Sequence, residues 1–363
     1  MNREPSPLPH RRNSIFMGEG ARTLLTVAAA FVVLFGLKYT REVAVPVVMS
    51  MFLATISYPI TQMLRRLRMP HWLAVGFTVL VDLGVIFGIY CIIRYLATDM
   101  RESLQGNLME KLQAKFNSIM TLLDQWGVGD QARELIESPQ NLIDPQQIIA
   151  FSQAITGQVV SVISLTVLVL ILMTFILGET PLFLRNFSNL PTSIKGKEQV
   201  ISAFRGIQRY LIIKTIASIS TGLLAYWLCH AMSIPFAFLW GFVACVLNFI
   251  PTIGSIVAAV PPILLALLLG DWGAGLIVTI GYLAINLTIG NGIEPLFLGK
   301  QFGIATTVVL LSVIVWGWVW GPFGMLLAVP FTVLTKLALE SSPDLYWMAS
   351  IINDKPFSDK KTD

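Results

Sequence analysis

A chain of 363 residues in which 55% are hydrophobic and only 13% are charged cannot cover its apolar side chains with polar surface in water. The mean hydropathy of +0.71 supports the same conclusion and predicts an all-α polytopic membrane protein embedded in a lipid bilayer. The net charge of +4 comes from short basic clusters beside apolar segments, which indicates contact with anionic lipid and not with nucleic acid. No phosphate-binding loop, GxSxG or HExxH motif is present, so we expect neither an enzyme nor a bound cofactor or metal.

The N-terminal part is predicted to begin with a cytoplasmic tail, residues 1–21, that lacks the features of a cleaved signal peptide. Three apolar segments follow within residues 22–97, and each can cross a hydrocarbon layer of about 30 Å. The basic turn Arg65–Arg68 joins the second and third of these segments. Basic loops favour the cytoplasmic side, so we expect this turn and both termini, including a tail at 341–363, to lie in the cytoplasm.

Residues 98–157 form a polar insertion that is predicted to lie outside the cytoplasm. Leucine and aromatic residues recur there at three- and four-residue spacing from Leu104 to Trp126, which predicts an amphipathic helix. An apolar stripe of this kind usually packs against protein. We therefore expect a small external cap or a contact between copies of a homo-oligomer.

Residues 158–340 are predicted to form the membrane core. Full spans are expected at 159–177, 211–229 and 273–289. The loop 179–209 carries the excess of Lys and Arg expected on the cytoplasmic side. Two further apolar stretches, 236–269 and 305–339, are interrupted midway, and their halves are short for separate crossings. The expected fold therefore has about eight membrane segments, namely six full spans and two broken or re-entrant hairpins.

The two interruptions resemble one another, because each combines Gly with Pro and is followed by Ala-Val-Pro. The positions concerned are Asn248, Pro251, Thr252 and Gly254 in the first, and Gly321, Gly324 and Pro330 in the second. Broken backbone is tolerated at membrane depth only where it faces protein or water, so the pair predicts an inverted repeat around a substrate or ion pathway. Two ordinary kinked spans are the alternative. Asn248 either binds substrate or caps free backbone groups.

Ionisable residues at membrane depth are functional candidates because an unpaired charge there is costly. Asp82 lies near the middle of the third span and either pairs across helices or carries a proton or ion. Glu294, beside Pro295, forms with Asn286 and Asn291 a polar cluster that either binds a cation or ends a helix in cytoplasmic water. The remaining basic residues are predicted to extend toward the span ends; they are Arg94, Lys214 and Lys336.

From the first span to Lys336, and most strongly from about Gly206 onward, the chain resembles the autoinducer-2 exporter (AI-2E) family of bacterial permeases. The motifs that carry this resemblance are Asn248-x-x-Pro251-x-x-Gly254, Ile293-Glu294-Pro295 and Gly321-x-x-Gly324-x-x-x-Ala328-Val-Pro330. The resemblance implies a multi-pass protein of the bacterial inner membrane. It also implies an exporter, since members of this family have been linked to efflux of the quorum-sensing signal autoinducer-2 or to sodium (lithium)/proton antiport.

Three functional hypotheses follow from the sequence. The first is a secondary transporter that exports a small polar solute with energy from an ion gradient, because the broken stretches are present and no ATP motif is found. The second is a sodium/proton antiporter that uses Glu294 or Asp82 as its exchanging carboxylate. The third is a scaffold that acts through the external helices and transports nothing.

Overall fold

The structure is a computed structural model that describes residues 19–105, 159–188, 197–270, 272–298 and 303–340, with isolated positions at 114, 117–118, 121, 124–125, 348–349 and 352. Every regular element in these ranges is helical. The all-α fold is therefore confirmed for the described part of the chain. The predicted tails and the insertion at 98–157 lie almost entirely outside the described residues.

The helices follow the apolar segments of the sequence, because at membrane depth the backbone must satisfy its hydrogen bonds within each segment. In chain order they are α1 (Glu19–Tyr39), α2 (Arg41–Arg66), α3 (His71–Gln105), α4 (Val159–Ser188), α5 (Lys197–Ala231), α6 (Ala237–Leu247), α7 (Ile253–Leu269), α8 (Trp272–Ile285), a π-helix (Asn286–Ile293), α9 (Glu294–Leu298), α10 (Thr306–Trp320), α11 (Pro322–Leu326) and α12 (Ala328–Glu340).

Five helical segments in the described ranges are long and apolar enough to cross a membrane: Arg41–Arg66, His71–Leu96, Leu165–Phe183, Ile201–Ala231 and Trp272–Ile293. Large apolar side chains on them face outward, as a lipid environment requires. The segment Leu24–Tyr39, predicted to be a full span, belongs to the shorter apolar helices. The expected count of about eight membrane segments is therefore not confirmed.

Helix α1 is held against α10 by aromatic contacts. The indole Nε1 of Trp320 donates to the carbonyl oxygen of Leu37 over 2.9 Å. The ammonium of Lys38 lies 3.7 Å from the ring centroid of Trp318, within the range of a cation–π contact. These contacts hold the C-terminal end of α1 against α10.

Both interruptions predicted from the sequence are breaks between helices. The first separates α6 from α7 at residues 248–252, and the second separates α10 from α11 and α12 around Gly321. Helix α6 has 11 residues, which span about 16 Å and fall short of the bilayer core. The two helices of each hairpin contact one another: α6 contacts α7, and α10 contacts α12.

Two helices organise the packing. Helix α2 contacts α1, α3, α4, α5 and α10, whereas α5 contacts α2, α6, α8, the π-helix, α9 and α12. Helices α5 and α6 approach one another closely, because a Cβ added to Gly222 would lie 2.7 Å from the carbonyl oxygen of Gly241. Small residues allow such close contact between helices in membranes. Helix α5 thus lies between the first hairpin and α12 of the second.

Candidate functional site

Helix α5 carries a stripe of polar side chains on its buried face. The stripe consists of four residues at spacings of four, four and three positions: Tyr210, Lys214, Ser218 and Thr221. This spacing places them on one side of an α-helix. None of the four is more than 5% exposed. Burying polar groups is costly unless they are bonded, so the partners of Lys214 and Ser218 define the site. The buried Oγ1 of Thr221 has no partner among the described residues.

Lys214 forms an ion pair with Glu294. The Nζ atom donates to Oε1 over 2.8 Å and to Oε2 over 2.9 Å, with the two side chains 6% and 13% exposed. The prediction that Lys214 extends to a span end is wrong. Lys214 lies near the middle of the 31-residue span Ile201–Ala231. The two ends are about 20 Å and about 26 Å away, beyond the reach of a lysine side chain.

Glu294 reaches Lys214 from the end of the π-helix. The backbone N–H of Glu294 donates to the carbonyl of Ile289, five residues earlier, and α9 begins at Glu294 itself. π-Helical turns are rare and occur often at functional sites. The ion pair with α5 shows that Glu294 lies in the protein interior and does not end a helix in cytoplasmic water.

Asn248 connects the first break to the next turn of α5. Its Nδ2 donates to the Oγ of Ser218 over 3.1 Å, and its Oδ1 accepts from the Oγ of Ser255 on α7, also over 3.1 Å. The side chain is 4% exposed. Asn248 therefore bonds to two side chains, and the expected alternative of a backbone cap does not hold.

Truncating Asn248 should destabilise the hairpin. We expect Asn248→Ala to cost about 1–3 kcal/mol, because it removes the partner of the buried Ser218 hydroxyl and of the half-buried Ser255 hydroxyl. Thermal unfolding of the purified protein in detergent would measure this loss. Asn291→Ala, at an exposed position, is the control and should unfold close to wild type. Equal losses in both variants would contradict the role of Asn248.

The second break is built from glycines and a proline. Gly321 has φ +66° and ψ −145°, a conformation accessible to glycine alone, and Pro322 begins α11. Gly324 and Pro330 are buried. Val329 and Val333 of α12 pack against Ile207, Tyr210 and Leu211 of α5. The second hairpin therefore meets α5 one turn from Lys214.

Other predicted site residues are not joined to this network. Within the described part of the chain, no hydrogen bond is made by the side chains of Asn286 and Asn291, and Asn291 is exposed. Pro251 is half-buried, and Thr252 is exposed with a φ of +59° at the start of α7. Pro295 lies in α9. Asp82 lies between α2 and α3, bonded to Ser57.

Sequence reasoning missed the α5 side of the site. Tyr210, Ser218, Thr221 and Ser255 were not predicted as site residues. The available signal was the spacing of Tyr210, Lys214, Ser218 and Thr221, which puts four polar residues on one face of a long apolar segment. The residues on other helices that bond to this stripe show no comparable spacing in the sequence.

The apolar spans and the buried polar network together define a polytopic α-helical membrane protein with an internal polar site. Residues 24–344 match the model of the AI-2E family transporter, and the chain belongs to that family. The resemblance noted in the sequence is thereby confirmed. The chain is a multi-pass membrane protein of a bacterial transporter family.

Curated relatives cover almost the full length of the chain. A protein named "Putative transport protein" from Haemophilus influenzae is 36% identical over 340 residues, which is 92% of this chain and 96% of the relative. The AI-2 transport protein TqsA of Escherichia coli K12 is 33% identical over 343 residues, with the same coverage. YhhT of the same strain is 28% identical over 330 residues.

Proposed function

We propose that the protein is a secondary transporter that exports a small polar solute across the bacterial inner membrane, driven by an ion gradient. The observation that carries this proposal is the buried Lys214–Glu294 pair beside the Asn248 network. Each includes one side chain of α5, Lys214 and Ser218, and α5 contacts both hairpins. The membership in a transporter family supports the general class.

The chemistry of the site favours a solute with several hydroxyl groups and no net charge. Lys214 and Glu294 neutralise one another, so the site presents no net charge to a ligand. Ammonium, carboxylate and amide groups within two turns of α5 provide both donors and acceptors to a hydroxyl-rich molecule. Autoinducer-2 fits this description, and one relative is named as an AI-2 transport protein.

The two breaks are proposed to form an inverted repeat around α5 within a transport core at 158–340. Each break contains a glycine packed against a carbonyl of the preceding helix, Gly254 against Leu247 and Gly324 against Trp316. This similarity supports a common construction. We further propose that both termini are cytoplasmic and that the protein forms a homo-oligomer.

A sodium/proton antiporter that uses Glu294 is the less favoured mechanism. The carboxylate of Glu294 accepts both of its short contacts from Lys214, so a sodium ion would have to compete with a fixed ammonium group. A scaffold function gives no reason for a buried ion pair in the middle of a span.

Flux through proteoliposomes that contain the full chain and an internal pH-sensitive dye tests these mechanisms. We expect autoinducer-2 to cross the membrane in the wild type and the flux to fall at least tenfold in Glu294→Gln. The matched control is Lys336→Gln, since Lys336 forms a longer pair, 3.9 Å from Glu340, on α12. This variant should keep its flux.

A sodium-triggered change in internal pH that is lost in Glu294→Gln would establish antiport and contradict solute export. If the folded protein transports neither autoinducer-2 nor sodium, this result would contradict the proposal and favour the scaffold hypothesis. That hypothesis predicts that a deletion within residues 104–140 has a larger effect on cells than Glu294→Gln.

A further inference from the structure

A second buried polar cluster lies between α2 and α3. Ser57 and Thr61 share one face of α2, and Thr78 and Asp82 share one face of α3. Ser57 Oγ donates to Asp82 Oδ1 over 2.9 Å, and the hydroxyls of Thr61 and Thr78 are 2.9 Å apart. We call these four residues the α2–α3 polar seam. The seam contributes nothing to the α5 site described above.

Asp82 is the one carboxyl group of the seam and is only 8% exposed. Its Oδ2 atom is buried and has no hydrogen-bond partner among the described residues. The ion pairs in the described ranges are Lys214–Glu294 and Lys336–Glu340, so no described cation neutralises Asp82. The carboxyl group therefore has one hydroxyl donor and no counter-charge.

The helices packed against α3 provide no charged group near Asp82 that could neutralise its carboxylate. Residues 165–177 of α4 include no titratable group. On α2 the nearest titratable side chain is Tyr58, whereas Arg65 and Arg66 are exposed two turns or more from Ser57. On α3 itself His71 and Tyr90 are about 16 Å and 12 Å from Asp82 along the helix. An ionised Asp82 would be an isolated charge in an apolar environment.

An isolated carboxylate in this position is costly, because each buried ion loses several kcal/mol of solvation. A neutral carboxyl group tolerates the same surroundings better. In the protonated acid, Oδ1–H can donate to Ser57 Oγ, which reverses the direction of the bond made by the ionised form, and Oδ2 is then an uncharged carbonyl oxygen. We propose that Asp82 holds a proton in this conformation, and that the α2–α3 polar seam is a proton-binding site separate from the α5 site.

Release of this proton requires water to reach Asp82, which means that α2 and α3 must separate. Helix α2 also contacts α1, α5 and α10, so a movement of α2 would be transmitted to the α5 site. The seam would then link protonation to the shape of that site. This coupling role rests on the proposed transport function, whereas the presence of the proton does not.

Infrared spectroscopy of the full chain in a detergent without carbonyl groups tests the presence of the proton without any solute. A protonated carboxyl group gives a carbonyl stretching band that ionised groups lack. We expect such a band at neutral pH in the wild type and its loss in Asp82→Asn. Glu42→Gln, which changes an exposed carboxyl group at the start of α2, is the matched control and should keep the band.

Ser57→Ala provides a second variant in case Asp82→Asn does not fold. It removes the hydrogen-bond partner of the carboxyl group and should shift the frequency of the band without abolishing it. Absence of the band at neutral pH in the folded wild type would overturn the proposal. Retention of the full band in Asp82→Asn would also overturn it, since the proton would then lie on another carboxyl group.

Flux measurements separate this proposal from the proposed function. If the seam couples protons to transport, Asp82→Asn should abolish the dependence of flux on the pH gradient. A band that is present in a protein without flux would support the proton site and contradict the transport function.

Discussion

Neutralising one partner of the Lys214–Glu294 pair is expected to destabilise the protein by about 3–5 kcal/mol, because the other charge is left buried and unpaired. Glu294→Gln and Lys214→Met should both show this loss. The double variant should recover most of it, since two neutral side chains need no counter-charge. Thermal unfolding in detergent micelles would measure all three proteins.

The pair Lys336–Glu340 is the control for this experiment. Its atoms are 3.9 Å apart, and its side chains are 14% and 32% exposed, so Lys336→Met should cost less than about 1 kcal/mol. If the double variant of Lys214 and Glu294 is as unstable as the single variants, the role of charge pairing is refuted. A stable double variant without flux would show that the pair also serves transport.

Adding a methyl group at either hairpin should have the second largest effect. A Cβ at Gly254 would clash with the carbonyl oxygen of Leu247, and one at Gly324 would clash with that of Trp316. Backbone cannot move aside as a flexible side chain can, so we expect Gly254→Ala and Gly324→Ala each to cost about 1–3 kcal/mol or more. Yield of folded protein and thermal unfolding would show this.

Gly84→Ala and Gly88→Ala are the matched controls. Both glycines lie inside α3, and a Cβ at either would meet nothing within 4 Å. Alanine favours a helix over glycine by about 1 kcal/mol, so these variants should be neutral or slightly more stable. Equal tolerance of all four substitutions would contradict the close packing of the two breaks.

The helices and their breaks could be predicted because they depend on local sequence. A run of apolar residues specifies a span, and Gly or Pro within it specifies an interruption, as at Pro251 and Gly321. The first apolar segment, predicted to be a full span, lies in the 21-residue helix α1, whose apolar part Leu24–Tyr39 is shorter than the five candidate spans. Contacts with Trp318 and Trp320 hold its end.

The pairing of polar residues could not be predicted in the same way. Lys214 and Glu294 are 80 positions apart, and Ser57 and Asp82 are 25 apart. A single sequence shows that each of these side chains needs a partner at membrane depth but does not show which one. The expected behaviour of Lys214 was wrong for this reason. The expected candidates Glu294 and Asn248 do lie in the network, since both adjoin an interruption of the helical pattern.

The π-helix at Asn286–Ile293 has a consequence for the register of the ion pair. Each residue of an α-helix turns the chain by about 100°, and the wider π turns change the direction in which Glu294 leaves the helix. One residue more or less between Tyr282 and Glu294 would rotate the carboxylate away from Lys214, even with every charge retained. The pair therefore depends on the spacing of the chain as much as on its charges, and a relative with both residues but a straightened helix here would lack it.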